Sequence, residues 1–489
     1  MTDSPRSAVI IGSGFAGLCI ARALKSAGIH DFVILEKAPS LGGTWRDNTY
    51  PGCACDIPSH LYSLSFALNP DWSATYAPQH EIRAYLERLA DAEGLREHLR
   101  LNTEATDAQY DATVAQWTVT TRAGEVFVAR NVVSAVGPLH RFSLPKIPGL
   151  ETFKGEVFHS ANWPEGFDPR DRDVAVIGTG ASAIQIIPEL AKSVRSMAVY
   201  QRTPPWVMPR FEREYSQRQK SLFAKFPALM QAFRQSLFWT QEARSLLFVR
   251  NDRLRSQLER LGRDHLQRTV ADPTLRQKLT PSIRLGCKRI LLSNTYYPAL
   301  QQPNVSVHTA GIREITPDGI VTNDGQRQTL DTLVFATGFD VHDYLGAMHV
   351  RGLDGRDLGE QWARDGATAH LGCLVSGYPN LYFLVGPNTG LGHNSILYMM
   401  EAQTEVIMKC IAHAQAGPRR SVQVRDDVQR DFNQRIQAQL RDTVWHTGCK
   451  SWYLDEEGRN STLWPGTCHA FGQQTKKFSL ADCVVNDLP

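Results

Sequence analysis

Four apolar residues, Ala8-Val9-Ile10-Ile11, run into a glycine-rich turn, and behind the turn apolar residues recur at helix spacing from Leu18 to Leu24. A second short apolar run, Phe32-Val33-Ile34-Leu35, follows and ends in Glu36. Short apolar runs bounded by turn residues are the pattern of strands buried on both faces, so this region predicts a strand–helix–strand unit with parallel strands. The same order returns at Asp173-Val174-Ala175-Val176-Ile177, a second glycine turn, and Met197-Ala198-Val199-Tyr200-Gln201. Further buried strands are predicted at Leu333-Val334-Phe335 and Tyr382-Phe383-Leu384-Val385. Between these lies a different pattern. Leu222, Phe226, Leu229, Met230, Phe233 and Leu237 stand at helical spacing and form one apolar face, with Lys220, Lys225 and Arg234 solvating the other. This face is expected to pack on the two strand–helix units; a membrane-surface helix is the second reading.

The fold class is therefore α/β, with two Rossmann-like dinucleotide-binding domains and a helical insertion. The expected division is 1–140 and 371–489 for one nucleotide unit, 150–208 and 300–370 for the other, and 209–299 for the insertion.

The two turns read Gly12-Ser13-Gly14-Phe15-Ala16-Gly17 and Gly178-Thr179-Gly180-Ala181-Ser182-Ala183. In such a fingerprint the first glycine makes a tight turn, the second lets backbone approach a pyrophosphate, and the third lets helix pack on strand. The helix N-terminus then faces the phosphates. Ala183 replaces the third glycine of the second copy, which the fingerprint tolerates. The copies differ at the end of the next strand. Glu36 lies 22 residues after Gly14, and Arg202 lies 22 residues after Gly180. A carboxylate there grips a free ribose 2′-hydroxyl, whereas an arginine attracts a 2′-phosphate and can bond it in a fork. The first site is thus expected to take FAD and the second NADPH, with Ser182 and Thr203 among the contacts of the second. One site of each preference in one chain suggests a hydride relay.

Composition changes little. The 489 residues suggest about three domain-sized units. A net charge of +3, with no long basic run, calls for no nucleic acid. The nine cysteines are odd in number and irregularly spaced, which argues against a disulfide framework and a metal site. Cys53 and Cys55 are read as reduced packing residues. There is no signal-like segment before the first glycines and no run long enough to span a bilayer, so the cytoplasm is the default location.

The segment Phe153-Lys154-Gly155-Glu156-Val157-Phe158-His159-Ser160-Ala161-Asn162-Trp163-Pro164 resembles the FxGxxxHxxxWP signature of type I Baeyer–Villiger monooxygenases. Flavin-containing monooxygenases that oxidise nitrogen and sulfur share its front half but usually lack the Trp-Pro ending. A second signature of the same family is met at Gly42-Gly43-Thr44-Trp45, Tyr50-Pro51-Gly52 and Asp56, and the resemblance extends to Trp452-Tyr453. It implies that Gly43, Thr44 and Trp45 lie at the flavin and that Asp56 lies in the active site. By the match of Lys288-Arg289, with Tyr296-Tyr297 following, it implies that Arg289 is the catalytic arginine and Lys288 a second anchor for the 2′-phosphate. Trp452 would lie near the nicotinamide ribose, and His159 at a hinge or domain contact. The implied reaction inserts one atom of O2 beside a ketone carbonyl, through a C4a-peroxyflavin, to give an ester or lactone. An N- or S-oxygenating flavin monooxygenase is the alternative. A disulfide reductase would need a redox cysteine pair, and the CxC of Cys53 and Cys55 has the wrong spacing. Which ketone is bound, and the oligomeric state, stay open.

Overall fold

The computed structural model describes residues 5–247, 252–417, 419–446, 453–455 and 457–487. Trp452 lies outside them.

Both predicted strand–helix units form, and each seeds a sheet. In the first, strand Arg6–Ile11 is central and pairs in parallel with Phe32–Leu35 on one side and Val126–Ser134 on the other. Arg6–Ile11 is fully buried from Ala8 to Ile11, as its unbroken apolar run requires. Leu99–Arg100 extends one edge, and the antiparallel strands Gln116–Thr121 and Ala105–Asp111 extend the other. Leu381–Phe383 returns late in the chain to pair with Val126–Ser134. Helix Phe15–Ser26 packs Leu18, Ile20, Ala21 and Leu24 inward. Its entry depends on Gly17, where a Cβ would stand 1.9 Å from the carbonyl oxygen of Gly12. No side chain fits that approach of helix to turn.

The second sheet is wholly parallel, in the order Val305–His308, Ser196–Tyr200, Asp173–Ile177, Thr332–Phe335, Glu156–His159. Its helix Ala183–Leu190 carries Ile184, Ile186, Ile187 and Leu190 inward. One continuous apolar cluster joins the units, running from Leu18 and Ile34 through Cys53, Cys55 and Leu61 to Val176, Ile187 and Val199.

Two expectations about organisation are corrected. The return to the first unit comes before residue 371, because His349–Arg351 pairs with Ala105–Asp111 in the first sheet. Helix Leu358–Asp365 then buries Leu358 and Trp362 with Val9 and Phe383 of that unit. A three-residue edge strand is too short to show a period. The second correction concerns the insertion. Residues 217–243 form two helices, Gln217–Lys225 and Pro227–Ala243, instead of one. Pro227 lacks an N–H and crowds the residue before it, so the first helix stops at Phe226. The break splits the apolar face. Met230 is buried, while Leu222, Phe226 and Leu229 stay exposed. Arg234, expected in solvent, is buried and donates from Nη2 to the Ser63 carbonyl at 3.1 Å. Among the described residues, no helix is long and apolar enough to cross a membrane.

Three histidines are packed as neutral rings. His60 sits edge-on among Tyr215, Phe223 and Phe233. His159 of the FxGxxxHxxxWP segment stacks on Phe142 at 4.8 Å and meets the edge of Phe339, residues that also bridge each other. It therefore touches both connections between the sheets. His370 packs edge-on against Phe432. Burial pushes all three down from an ordinary value of 6.5 to about 4. Between these values the unfolded chain binds protons that the folded chain refuses, so the stabilisation is complete above pH 6.5 and is lost as pH falls toward 4. The melting temperature is expected to drop steadily over that window. His60→Phe, which keeps an aromatic ring and removes the proton, should flatten the drop. An equal slope in the variant would show that His60 does not contribute.

Candidate active site

The first glycine turn meets a second stretch of bare backbone. A Cβ at Gly43 would stand 3.3 Å from the Cα of Gly14, so only glycine at both places leaves this concave surface free of side chains. It lies at the N-terminus of helix Phe15–Ser26, where free N–H groups favour an anion. Glu36 is buried at the end of its strand and faces the same turn. Its Oε2 accepts from the Ser13 N–H at 3.0 Å and the Ser13 hydroxyl at 2.7 Å. Its Oε1 accepts from the Ala38 N–H at 3.0 Å and pairs with Arg46 at 3.0 Å. These bonds balance the buried charge and hold the carboxylate beside the turn. Thr44 and Trp45 begin the short helix Thr44–Asp47. The indole of Trp45 is mostly buried and donates to the Tyr62 hydroxyl at 3.1 Å.

The second turn, with Gly178, Gly180 and Ser182, opens at the head of helix Ala183–Leu190. A Cβ at Gly180 would meet nothing within 4 Å, so this edge of the turn is open. Thr203 is tied to it, its carbonyl accepting from the Thr179 hydroxyl at 3.4 Å. Arg202 and Lys288 are brought together although 86 residues separate them. Burial and the nearby Arg202 charge both push the Lys288 ammonium down. Neither has an acidic partner among the described residues. Two cations held close can attract a doubly charged anion.

Asp56 and Arg289 form an ion pair. The Arg289 guanidinium donates from Nε to Asp56 Oδ2 and from Nη2 to Asp56 Oδ1, each at 2.7 Å. This is the two-point fork of a guanidinium on a carboxylate. The partners come from positions 233 residues apart and are each about one-third exposed. The Asp56 charge raises Arg289 further above its ordinary value. Cys55 and Tyr453 are buried beside the pair, and the partly buried Tyr62 is near enough to feel both charges. Burial lifts the Tyr453 phenol to about 12, with the Arg289 charge pulling the other way. Tyr62 and Tyr453 escaped the sequence reading. Tyr453 follows the family-like Trp452, but nothing in the sequence marked Tyr62.

Cys53 and Cys55 are free and buried as expected. Cys287 is in a disulfide, a cross-link that the irregular cysteine spacing did not announce. One buried group collects metal-binding atom types: Glu242, His393 and Cys468 bring their ligand atoms within 4.8 Å. The carboxylate is already saturated. Glu242 accepts from His393 Nε2 at 3.2 Å, Asn394 Nδ2 at 2.7 Å, the Cys468 N–H at 3.1 Å and the His469 N–H at 3.0 Å. Burial pushes Glu242 up, but these donors outweigh it and hold the carboxyl at about 2. It therefore anchors the insertion helix to the glycine-rich loop at 388–395 and to helix Cys468–Lys476.

Residues 9–226 match the family model for pyridine nucleotide-disulphide oxidoreductases. The chain is 46% identical over 97% of its length to a Baeyer-Villiger monooxygenase of Streptomyces coelicolor, covering 92% of that protein. It belongs to the Baeyer–Villiger monooxygenase family. A second member, from Pseudomonas aeruginosa, is 43% identical over 96% of the chain and is covered to 89%. Among solved structures, cyclohexanone monooxygenase from Rhodococcus sp. Phi1 bound to NADP+ superimposes with a TM-score of 0.89 at 30% identity, covering 99% of this chain and all of that one. OTEMO in complex with FAD and NADP gives the same TM-score at 28% identity, with the same coverage. The chain is thus an FAD- and NADPH-dependent flavin monooxygenase with two Rossmann-type domains. As a Baeyer–Villiger monooxygenase it differs from disulphide reductases of the matched model by lacking a CxxxxC pair after the first unit.

Proposed function

We propose that Asp56 and Arg289 form the reaction centre at which one oxygen atom of O2 is inserted beside a ketone carbonyl, giving an ester or lactone. The observation that carries this reading is the forked Asp56–Arg289 ion pair. The residues fit both cofactors: bare backbone at Gly12, Gly14, Gly17 and Gly43 with Glu36 beside it suits FAD, and Gly178, Gly180, Ser182, Thr203, Arg202 and Lys288 suit NADPH. Trp452, adjacent to Tyr453, is assigned to the nicotinamide ribose by the same family match. When bound, NADPH supplies hydride to FAD, and the reduced flavin activates O2. The chain supplies electrostatics. Arg289 stays charged at any working pH and offers N–H donors to negative charge developing on oxygen as the ketone is attacked. Asp56 orients the guanidinium and balances its charge while the site is at rest. Tyr62 and Tyr453 lie near enough to feel the charges of the pair, which itself stays about one-third exposed.

The test is product identification. Purified protein given NADPH, air and a panel of cyclic, linear and aryl ketones is expected to yield esters or lactones carrying one atom from 18O2. Oxidation of a thioether or amine with no ester from any ketone would replace this reading with the N- or S-oxygenating one.

A further inference from the structure

Asp56 sits on a loop, residues 50–56, that is clamped from both nucleotide units. On one side the clamp is backbone of the first unit. The Cys55 N–H donates to the Ala77 carbonyl at 3.0 Å, and the Cys53 carbonyl accepts from the Gln79 N–H at 2.9 Å. On the other side it is one side chain of the second unit. Gln185, on helix Ala183–Leu190, donates from Nε2 to the Ala54 carbonyl at 3.0 Å. Its Oε1 accepts from the Ala54 N–H at 3.4 Å and from the Tyr50 hydroxyl at 3.0 Å. The amide thus binds both backbone groups of a residue two positions before Asp56, as a neighbouring strand would. Contact is close there. Gly52 has φ +80°, and a Cβ on it would meet the Gln185 carbonyl oxygen at 2.7 Å.

We propose that Gln185 is a positioning residue for the oxygen-transfer reaction. It holds the Asp56 loop against the helix that heads the NADP turn, and so sets where Asp56 can grip Arg289. The chemistry singles out an amide. Ala54 presents one donor and one acceptor, and only a side chain with both answers them together. Glutamate would keep the acceptor and set a carboxylate oxygen against the Ala54 carbonyl. Leucine would leave both backbone groups unpaired. This rests on the proposed role of the Asp56–Arg289 pair, since without that role the loop has no reacting group to place.

The experiment uses the full-length holoenzyme and the apoprotein. In the apoprotein, hydrogen exchange over residues 50–56 is expected to quicken in Gln185→Leu and to stay near wild type in Tyr50→Phe, which keeps the two Ala54 bonds. In the holoenzyme, Gln185→Leu is expected to reduce its flavin with NADPH normally but to give roughly ten-fold less ester per NADPH consumed, the remainder appearing as peroxide. Placed in an Asp56→Asn background, the same change should cost little more, because its effect runs through Asp56. Should Gln185→Leu fold poorly, Gln185→Glu, of the same size, carries the same expectations. Wild-type exchange and ester yield in both variants would overturn the proposal. So would a loss in yield that persists undiminished beside Asp56→Asn. If the wild type itself forms no ester from any ketone, the role of the ion pair falls, and this inference with it.

Discussion

Arg289→Ala is expected to be reduced by NADPH at close to the wild-type rate and to form ester about a hundred- to a thousand-fold more slowly, the loss typical of deleting one donor to a developing oxyanion. The separation of the two half-reactions follows from the geometry. Hydride transfer depends on how the two nucleotide turns hold their cofactors, and Arg289 is not part of either turn. In the proposed reaction, oxygen transfer depends on positive charge at the Asp56–Arg289 pair. Removing the guanidinium also leaves the Asp56 carboxylate without its forked partner, which sets negative charge where positive charge is needed. Arg289→Lys should recover only part of the activity, because an ammonium cannot make the two-point contact seen at 2.7 Å. Stopped-flow reduction under argon and product yield in air measure the two halves separately. Undiminished ester formation by Arg289→Ala would remove the arginine from the mechanism.

The second large effect concerns NADPH. Arg202 and Lys288 lie close enough for one charge to depress the other, and neither has an acidic partner among the described residues. A hydrogen bond to a charged group contributes about 1.5–3 kcal/mol, so each alanine substitution is expected to lower kcat/KM for NADPH by roughly ten- to a hundred-fold. The double variant should lose more, and kcat/KM for NADH should hardly change in any of them, because NADH brings no 2′-phosphate. Calorimetric titration with 2′,5′-ADP reads the same loss without turnover. If the ratio of NADPH to NADH efficiency is unmoved in the double variant, the anion is bound elsewhere.

The contrast between the two glycine units was legible before any coordinates. Glycine turns and the residue at the end of the following strand are local features, about 20 residues across, and the backbone geometry of a strand–turn–helix places them with little help from the rest of the chain. Gly17 shows why: its contact, the Gly12 carbonyl, is only five positions away. The family signatures carried Asp56 and Arg289 together with the expectation that the carboxylate orients the guanidinium, and the coordinates add the two-point fork between them.

What the chain determined by itself was therefore the pair of nucleotide folds, the contrast of Glu36 with Arg202 at their strand ends and the residue types available for chemistry. Only the tertiary structure decided which of these meet. Asp56 and Arg289, Arg202 and Lys288, and Gln185 and Ala54 are each joined across more than 80 positions. The same holds for the early return of His349–Arg351 to the first sheet and for the split of the insertion face at Pro227. The physical reason is that periodicity and turn chemistry act over one element at a time. Contacts between elements depend on how whole layers pack, and no short stretch of sequence records that.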